Sequence, residues 1–266
     1  GQLKRMHYAR VYDLDGTPLS FDIRRTLTGF RGAEWIGPKR MINARTKKPM
    51  MTPTFSAPAM RKILQENGIA VDGRLPSLSW ALQGRKDAAN MKPSWFGITG
   101  PYVLLIPAAD ERRRWPAQHY ARLAFDLIAR NITPVIVGGA DLKEFGHEIS
   151  QDLVRLEPSG ARTIVDLTDK TDLAQLAALA KDATFFIGGV AEEIHLTSSL
   201  GCPGLLILHP SQNAGMDALY GREIVRLTAN NLKSIEPDAA FTMLESMGLI
   251  DQSAPVAETR KKLLFN

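Results

Sequence analysis

The sequence contains one cysteine, Cys202, among 266 residues. A single thiol excludes a disulfide framework and any zinc site built from cysteines, and it favours a reducing compartment. The five histidines show no ligand spacing either, so we expect no protein-bound metal. No apolar run approaches the roughly 18 residues of a membrane span, and the first residues do not resemble a signal peptide. Together these absences predict a cytoplasmic protein.

The charge of the chain is only slightly unbalanced. Its 33 lysines and arginines against 28 aspartates and glutamates give a net charge of +5 and a pI near 9.3, which weakly favours anionic partners. The first basic stretch has no aromatic residues between its charges that could stack on bases, so we expect a solvated face and no nucleic acid. The same charge allows a peripheral contact with an anionic membrane surface. The basic residues of this stretch are Lys39, Arg40, Arg45, Lys47 and Lys48.

The first hundred residues show little periodicity. They contain one predicted strand, Arg10–Asp13, and one predicted helix, Ala57–Asn67, with Ser56 as its N-cap and Pro58 in its first turn. Proline and glycine then accumulate in Asp87–Pro101, a composition typical of a linker. We therefore expect a change of domain near residue 98.

From Tyr102 onward, short apolar runs alternate with amphipathic segments. In the first of these segments, Tyr120, Leu123, Ala124 and Leu127 form one apolar stripe at helical spacing. Continuous apolar strands that alternate with such helices predict βαβ units and a parallel sheet covered on both faces. The predicted strands are Tyr102–Ile106, Pro134–Val137, Thr163–Leu167, Thr184–Ile187 and Gly204–Leu208. The predicted helices are Ala117–Ala129, Asp141–Leu153, Asp172–Lys181 and Glu192–Leu200.

The segment RVYDLDGTPLS, residues 10–20, ends an apolar run in Asp-x-Asp-Gly-Thr. This resembles the opening motif of haloacid-dehalogenase-like phosphatases, in which the two aspartates, here Asp13 and Asp15, are the nucleophile and the general acid. That chemistry also needs a late acidic pair that holds magnesium. The later strands run instead into Gly188-Gly189 and His209-Pro210. The phosphatase is kept only as a remote alternative, because a motif without its structural context is weak.

Three segments of the regular half follow one another in order: RRWPAQHYARLAFDLIARNITPVIVGGADLKEFGHEI, DLTDKTDLAQLAALAKDATFFIGG and IHLTSSLGCPGLLILHPS. Together they resemble the donor-binding half of glycosyltransferase family 9, whose best-known members are the ADP-heptose:lipopolysaccharide heptosyltransferases. The strand end YDLDG is similar to the family's Asp-Leu-Gln-Gly, with Asp15 in place of the glutamine. On this interpretation, Asp13 and Asp15 are a strand end and a turn.

The resemblance implies an α/β fold of the GT-B type, with two Rossmann-like domains, the second a doubly wound parallel sheet. It implies a partial acceptor-side domain in residues 1–98 and a nucleotide-sugar-binding domain in residues 99–266, with a C-terminal helix at Ala254–Leu264. The implied activity is inverting transfer of a heptose-like sugar from a nucleotide diphosphate donor to a cell-envelope saccharide, without a cofactor. The family's base lies in an N-terminal segment like ILVIRLGALGD. That segment has no counterpart in this sequence, so no catalytic residue is assigned.

The resemblance also implies a donor phosphate site at the strand ends. Arg113 stands two residues before the Trp-Pro pair, where the family's basic residue reaches phosphate, and a surface ion pair is the alternative. His195 matches the family histidine of the HLxxxLGxP run and could donate to a phosphate, and a packing role is its alternative. Two glycines allow close backbone approach, and an alanine stands where the family often has a hydroxyl residue. The other members of the implied site are Gly188, Gly189, Ala109 and Ser211.

One part of this donor loop departs from the family. Where members usually have Asp-Ser-Gly-Pro, this chain has Val190-Ala191-Glu192-Glu193. The two glutamates stabilise a helix N-terminus through its dipole, but they repel a diphosphate by on the order of 1 kcal/mol per close charge pair in water. The sequence therefore leaves two hypotheses: a family 9-like glycosyltransferase with altered donor preference, and a non-catalytic GT-B relative that binds a sugar, a nucleotide or a protein partner.

Overall fold

A computed structural model describes residues 8–14, 19–20, 22–25, 33–37, 57–71, 82, 85, 88–158, 164–212, 219 and 223–250. The chain divides into two compact units, Gly1–Arg74 and Leu75–Asn266. None of the helices in the described ranges is long and apolar enough to cross a membrane. The predicted C-terminal helix at Ala254–Leu264 and the predicted N-cap Ser56 lie outside the described residues.

The first unit contains two short parallel strands, β1 (Arg10–Tyr12) and β2 (Glu34–Ile36). Arg10 and Glu34 are register partners and form an exposed ion pair of 2.6 Å. The helix α1 (Ala57–Glu66) follows along the chain. The strand predicted at Arg10–Asp13 and the helix predicted at Ala57–Asn67 are therefore confirmed.

Asp13 closes the carboxyl end of β1. Its side chain is buried, with 5% exposure, and its carboxylate accepts a 2.8 Å hydrogen bond from the Ser20 hydroxyl. Its backbone N–H donates to the carbonyl of Ile36, and Gly37 lies so close that a Cβ there would be 2.7 Å from the Asp13 Cβ. These contacts fit the interpretation of Asp13 as a strand end. Asp15 lies outside the described residues.

The second unit is built on one six-stranded sheet in which every pair of neighbours is parallel. Its strands are β3 (Tyr102–Ile106), β4 (Thr133–Ile136), β5 (Val165–Asp166), β6 (Phe185–Gly188), β7 (Gly204–Leu208) and β8 (Ile224–Thr228). The strand order is β5-β4-β3-β6-β7-β8. The chain thus begins at the centre, fills one side and then returns to fill the other, which is the Rossmann order.

Helices cover both faces of this sheet. One face carries α2 (Ala117–Ile128), α3 (Lys143–Leu156) and α6 (Pro237–Ser246), and the other carries α4 (Leu173–Asp182) and α5 (Glu192–Ser199). Val103 and Leu105 of β3 pack into the first core, whereas Leu104 and Ile106 pack into the second. Alternate residues of one strand enter opposite cores only when both faces are buried. The predicted doubly wound parallel sheet is confirmed.

Two elements of the sheet domain differ from the sequence prediction. The strand β8 was not predicted, because it is an edge strand of half-buried residues with the exposed Arg226 at its centre. Its apolar residues are therefore too few to give a continuous run. The helix α6, which begins at Pro237, was not predicted either, although proline is common in the first helical turn.

The segment before β3 is packed, whereas its composition predicted a linker at Asp87–Pro101. It forms two short 3₁₀ helices, Ala89–Met91 and Pro93–Phe96, and Met91 and Ile98 are each only 3% exposed. Met91 joins a small apolar cluster with α4, where the Gln175 side chain donates to the Asn90 carbonyl at 3.2 Å. The segment thus belongs to the second unit. The assignment of the residues before 99 to an acceptor-side domain stays a prediction.

Trp115 anchors the start of α2. Its ring is 1% exposed and makes edge-to-face contacts with His119 and Tyr120. The indole N–H donates a 2.8 Å hydrogen bond to the carbonyl of Ile235, which lies just before α6. One side chain therefore joins the beginnings of two helices on the same face of the sheet.

This anchor predicts a stability difference between two tryptophans. Trp115→Phe removes a buried hydrogen bond and ring volume, so we expect a loss of about 1–3 kcal/mol in the free energy of unfolding. Trp95→Phe is the control, because Trp95 is 63% exposed, and we expect a change within about 0.5 kcal/mol. Urea unfolding followed by circular dichroism measures both. Equal losses in the two variants would contradict the anchoring role.

Gly188 lets β3 and β6 approach closely at their carboxyl ends. A Cβ at this position would overlap the backbone carbonyl oxygen of Ile106, which is the register partner of Gly188. Backbone atoms inside a sheet cannot move aside as a flexible side chain can. Any larger residue must therefore force the two central strands apart.

We expect Gly188→Ala to cost about 3 kcal/mol of stability, at the upper end of the range for overpacking. Gly139→Ala is the matched control. Its φ is −75°, and an added Cβ would meet only the end of the Asp141 side chain, at 2.9 Å, so a change below about 0.5 kcal/mol is expected. Thermal and urea unfolding provide the comparison, and a Gly188→Ala protein as stable as the control would show that the strands have room.

Candidate functional site

The carboxyl ends of the parallel strands meet at one edge of the sheet. At its centre β3 and β6 are neighbours, although the chain between them has first built β4 and β5 on one side. This is the topological switch point, where the loops leave in opposite directions and a crevice forms in open α/β sheets. The loops that follow β3 and β6 therefore form the candidate ligand site.

Gly188 and Gly189 form the floor between these two loops. Both are buried, and the Gly189 N–H donates to the Ile106 carbonyl at 3.1 Å. A Cβ on Gly189 would lie 2.7 Å from the Cβ of Ala108, which is itself 1% exposed. The absence of side chains here lets the loops touch. This is a packing role, and contact of either glycine with a donor stays a prediction.

The loop after β3 presents two of the predicted residues, Ala109 and Arg113, toward solvent. The Ala109 N–H donates to the Val190 carbonyl at 3.3 Å, so this loop is bonded directly to the one after β6. Arg113 ends a short 3₁₀ helix, Glu111–Arg113, that Asp110 caps. Its side chain is 47% exposed, and its Nε lies 3.7 Å from an Asp110 carboxylate oxygen. At that distance the guanidinium remains available to an anion.

Arg114 is part of the same loop, and the sequence analysis assigned no separate role to it. Its Nε donates to the Ala108 carbonyl at 2.6 Å, and its Nη2 donates to the Ala109 carbonyl at 2.8 Å. The guanidinium carbon lies 4.5 Å from the centre of the Phe145 ring. Of the consecutive arginines, Arg114 thus faces the backbone while Arg113 faces solvent.

The helix after β6, α5, begins with the two glutamates that depart from the family pattern. Its N-cap, Ala191, provides no side-chain hydrogen bond, and Glu192 and Glu193 occupy the first turn. His195 follows one turn later with an exposed edge. Burial of its remaining surface lowers the pKa of the imidazole, and the nearby Glu192 carboxylate partly opposes this. A lowered pKa makes His195 a neutral donor or acceptor at neutral pH, so it adds little positive charge.

Ser211 lies in a 3₁₀ helix, Pro210–Gln212, directly after β7. The residue is exposed, and its hydroxyl and backbone N–H both approach the Nδ1 of His209, at 2.7 and 3.1 Å. The hydroxyl is therefore engaged within its own loop. All six predicted site residues thus follow the carboxyl ends of β3, β6 or β7, and their contact with a ligand stays a prediction.

A cleft of about 210 Å³ opens beside the switch point, between the loops after β4 and β5 and the start of α5. It has an apolar wall that includes Leu173, Leu176 and Leu196 and a polar rim of four carboxylates. The carboxylates belong to Asp169, Asp172, Glu192 and Glu193. This cleft is more acidic than the phosphate site that the family resemblance implies.

Two of the four carboxylates are neutralised by cations that the sequence did not single out. Lys143 lies 2.6 Å from Asp169, and Arg85 lies 3.2 Å from Asp172. The backbone N–H of Gln175, followed by Arg85, lowers the pKa of Asp172. Asp172 and Gln175 form a capping box, which fixes the helix start where the sequence predicted it.

The other two carboxylates, Glu192 and Glu193, form no ion pair with a lysine or arginine of the described residues. Within those residues, no three His, Cys, Asp or Glu side chains are grouped as metal ligands. Unpaired negative charge thus lies at the N-terminus of α5, where a Rossmann-like fold usually binds phosphate.

Comparison with known sequences shows to which family the chain belongs. The model of glycosyltransferase family 9 (heptosyltransferase) matches residues 2–238. Lipopolysaccharide heptosyltransferase 2 of Escherichia coli strain K12 is 26% identical over 220 residues, which are 80% of this chain and 62% of the relative. Lipooligosaccharide heptosyltransferase 2 of Haemophilus influenzae is 28% identical over 114 residues, 42% of this chain and 32% of the relative. The chain thus spans less than two thirds of the length of these relatives.

Solved structures show the same fold. E. coli ADP-heptose LPS heptosyltransferase II superposes with a TM-score of 0.64 at 19% identity, covering 92% of this chain and 78% of that one. E. coli heptosyltransferase WaaC with ADP gives a TM-score of 0.63 at 17% identity, covering 92% and 75%. The predicted GT-B-like α/β fold is confirmed. Because the matched residues include Asp13 and Asp15, the family also replaces the phosphatase alternative: the chain belongs to glycosyltransferase family 9.

Proposed function

We propose that this protein transfers a heptose-like sugar from a nucleotide diphosphate donor to a cell-envelope saccharide on the cytoplasmic side of the membrane. The observation that carries the proposal is the position of Arg113. It lies beside the switch point of a Rossmann-ordered sheet, 47% exposed, and its one ion pair among the described residues is a 3.7 Å contact with Asp110. Relatives of this chain are named as heptosyltransferases, and one similar solved structure is a heptosyltransferase with ADP.

In this proposal the donor phosphates bind on the β3 side of the crevice. Arg113 supplies a cation there, while Glu192 and Glu193 make the N-terminus of α5 unfavourable for a diphosphate. The cleft beside α5 suits the hydroxyl-bearing part of a donor better, because carboxylates accept hydrogen bonds from hydroxyls. The second unit then binds the donor, and the first unit provides the acceptor side.

A non-catalytic binding module is the second candidate, and the same two glutamates favour it. They place negative charge, without an ion pair among the described residues, where a helix N-terminus would otherwise bind phosphate. A protein that has lost transferase activity keeps its fold without needing to keep a phosphate site. The two functions differ in whether sugar transfer follows binding, and a transferase must bind a nucleotide diphosphate whereas a binding module need not.

Nucleotide binding is the direct test. We expect ADP to bind weakly and with strong salt dependence, because the proposed binding cation, Arg113, is exposed and must act against nearby carboxylates. Calorimetry with ADP, UDP and GDP at low and moderate salt measures this. Arg113→Ala should raise the ADP dissociation constant roughly tenfold or more, whereas Arg112→Ala, which removes a 92% exposed neighbour, should change it little.

The glutamate pair gives a second, independent prediction. Glu192→Ser combined with Glu193→Gly removes two repulsive charges and should tighten ADP binding by roughly five- to tenfold. The charge-matched control is Asp182→Asn combined with Glu223→Gln, because both residues precede strands and lie at the opposite edge of the sheet. A tightening of the same size in the control would mean that only net charge matters.

Binding and transfer can then be separated. Incubation with ADP-heptose and a heptose-accepting truncated lipopolysaccharide should release ADP in proportion to sugar transferred. Release of ADP that depends on the acceptor and is lost in Arg113→Ala supports the transferase. Nucleotide binding without transfer supports the binding module. Failure of all three nucleotides to bind, in the parent and in the glutamate variant, would refute a nucleotide site.

The lowered pKa of His195 predicts how stability depends on pH. Because the folded pKa lies below the unfolded value near 6.5, the unfolded chain takes up this proton first as the pH falls. The stability that depends on the neutral imidazole is complete above the unfolded pKa of about 6.5. It is lost as the pH falls toward the folded pKa. Urea unfolding between about pH 7.5 and about pH 5.5 should therefore show a larger loss for the parent than for His195→Gln. Equal losses would indicate that His195 titrates alike in both states.

A further inference from the structure

The strongest unassigned interaction at the switch point is made by Arg114. Its Nε and Nη2 donate to the carbonyls of two consecutive residues, Ala108 at 2.6 Å and Ala109 at 2.8 Å. Hydrogen bonds from a charged donor at these distances are among the stronger ones in proteins. A single guanidinium thus fixes the orientation of two peptide groups in the loop after β3.

The face of the same guanidinium is also occupied. The Phe145 ring of α3 lies 4.5 Å from its central carbon, and Phe145, Tyr120 and Trp115 form a chain of edge-to-face contacts below it. Trp115 and Tyr120 are at most 1% exposed. The aromatic chain therefore gives the guanidinium a rigid support, and only a planar, forked donor can use the support and both carbonyls together.

The opposite side of the loop is held by the loop after β6. The Ala109 N–H donates to the Val190 carbonyl, and Ala108 packs on Gly189. The loop that carries Ala109 and leads to Arg113 is thus fixed between Arg114 on one side and β6 on the other. The carbonyl oxygens of Ala108 and Ala109, which would repel an anion, accept hydrogen bonds from the Arg114 guanidinium.

We propose that Arg114 is a positioning residue that fixes the loop after β3 so that Arg113 meets the donor phosphates. This rests on the proposed nucleotide-sugar function. Arg114 does not touch the donor itself. It acts through the carbonyls of Ala108 and Ala109 and offsets their negative charge. The chain has alanine where a hydroxyl residue could have bonded a phosphate, so accurate placement of Arg113 has to supply that contact.

The test compares Arg114→Lys and Arg114→Gln with the control Arg112→Gln. Lysine keeps the charge but cannot reach two carbonyls in a fixed plane, so it should fail to restore the parent behaviour. Hydrogen exchange by mass spectrometry follows the peptide around residues 106–111, with a peptide of α4 as internal reference. Calorimetry measures the affinity of each variant for ADP, both alone and in combination with Arg113→Ala.

We expect exchange in the loop to rise roughly tenfold or more in both Arg114 variants, with α4 unchanged and Arg112→Gln like the parent. The ADP dissociation constant should rise roughly tenfold, and an Arg114 substitution should add no further loss to that of Arg113→Ala. If either Arg114 variant fails to fold, the other carries the comparison. Should both unfold, Phe145→Leu removes the ring beneath the guanidinium while keeping Arg114, and loop exchange unchanged from the parent then overturns the proposal.

The failures of the two proposals are distinguishable. Unchanged loop exchange, or losses from Arg113 and Arg114 that simply add, overturns the positioning role while leaving the nucleotide site intact. Absence of ADP binding in the parent overturns the proposed function and with it the role toward a donor. Full recovery of affinity and loop protection in Arg114→Lys would show that charge alone suffices, which also overturns the positioning role.

Discussion

The close approach of β3 and β6 is the constraint on which the second unit depends. Gly188 leaves no side chain between itself and the Ile106 carbonyl, and the Gly189 N–H bonds to that same carbonyl. Because these strands touch at their carboxyl ends, their loops must leave in opposite directions from one point. The 3₁₀ helix that carries Arg113 and the start of α5 are therefore brought to the same edge of the sheet.

Charge is distributed unevenly around this contact. The β3 side has consecutive arginines, of which Arg113 is exposed, whereas the β6 side begins α5 with Glu192 and Glu193. A helix N-terminus usually attracts an external anion, but here its own carboxylates already meet the helix dipole. The neutral His195 does not reverse this balance. The fold thus separates a cationic β3 side from an acidic α5 side, and in the proposed function a diphosphate meets the first and hydrogen-bond donors meet the second.

The sequence predicted best those elements that are buried from end to end. The strands β3 and β7 were predicted to the residue because each is a continuous apolar run with no exposed position. The half-buried β8 lacks that signal. Within the site, the spacing to the Trp-Pro pair singled out Arg113 as a phosphate ligand, which stays a prediction, and it assigned no role to Arg114. Which guanidinium turns to the backbone depends on Phe145, which only the folded arrangement of α2 and α3 brings beneath the loop.

The difference between these two arginines also shows which residues serve the fold and which need a ligand. Arg114 makes two short hydrogen bonds and a ring contact within the protein, and Trp115 bonds to the loop before α6, so both have structural reasons for their positions. Among the described residues, Arg113 has a half-exposed side chain and one long ion pair, an arrangement that contributes close to nothing to stability. The fold therefore does not depend on a guanidinium at this position. The proposed donor site accounts for it, because the loop holds the cation at the mouth of the crevice, where an anionic ligand would meet it.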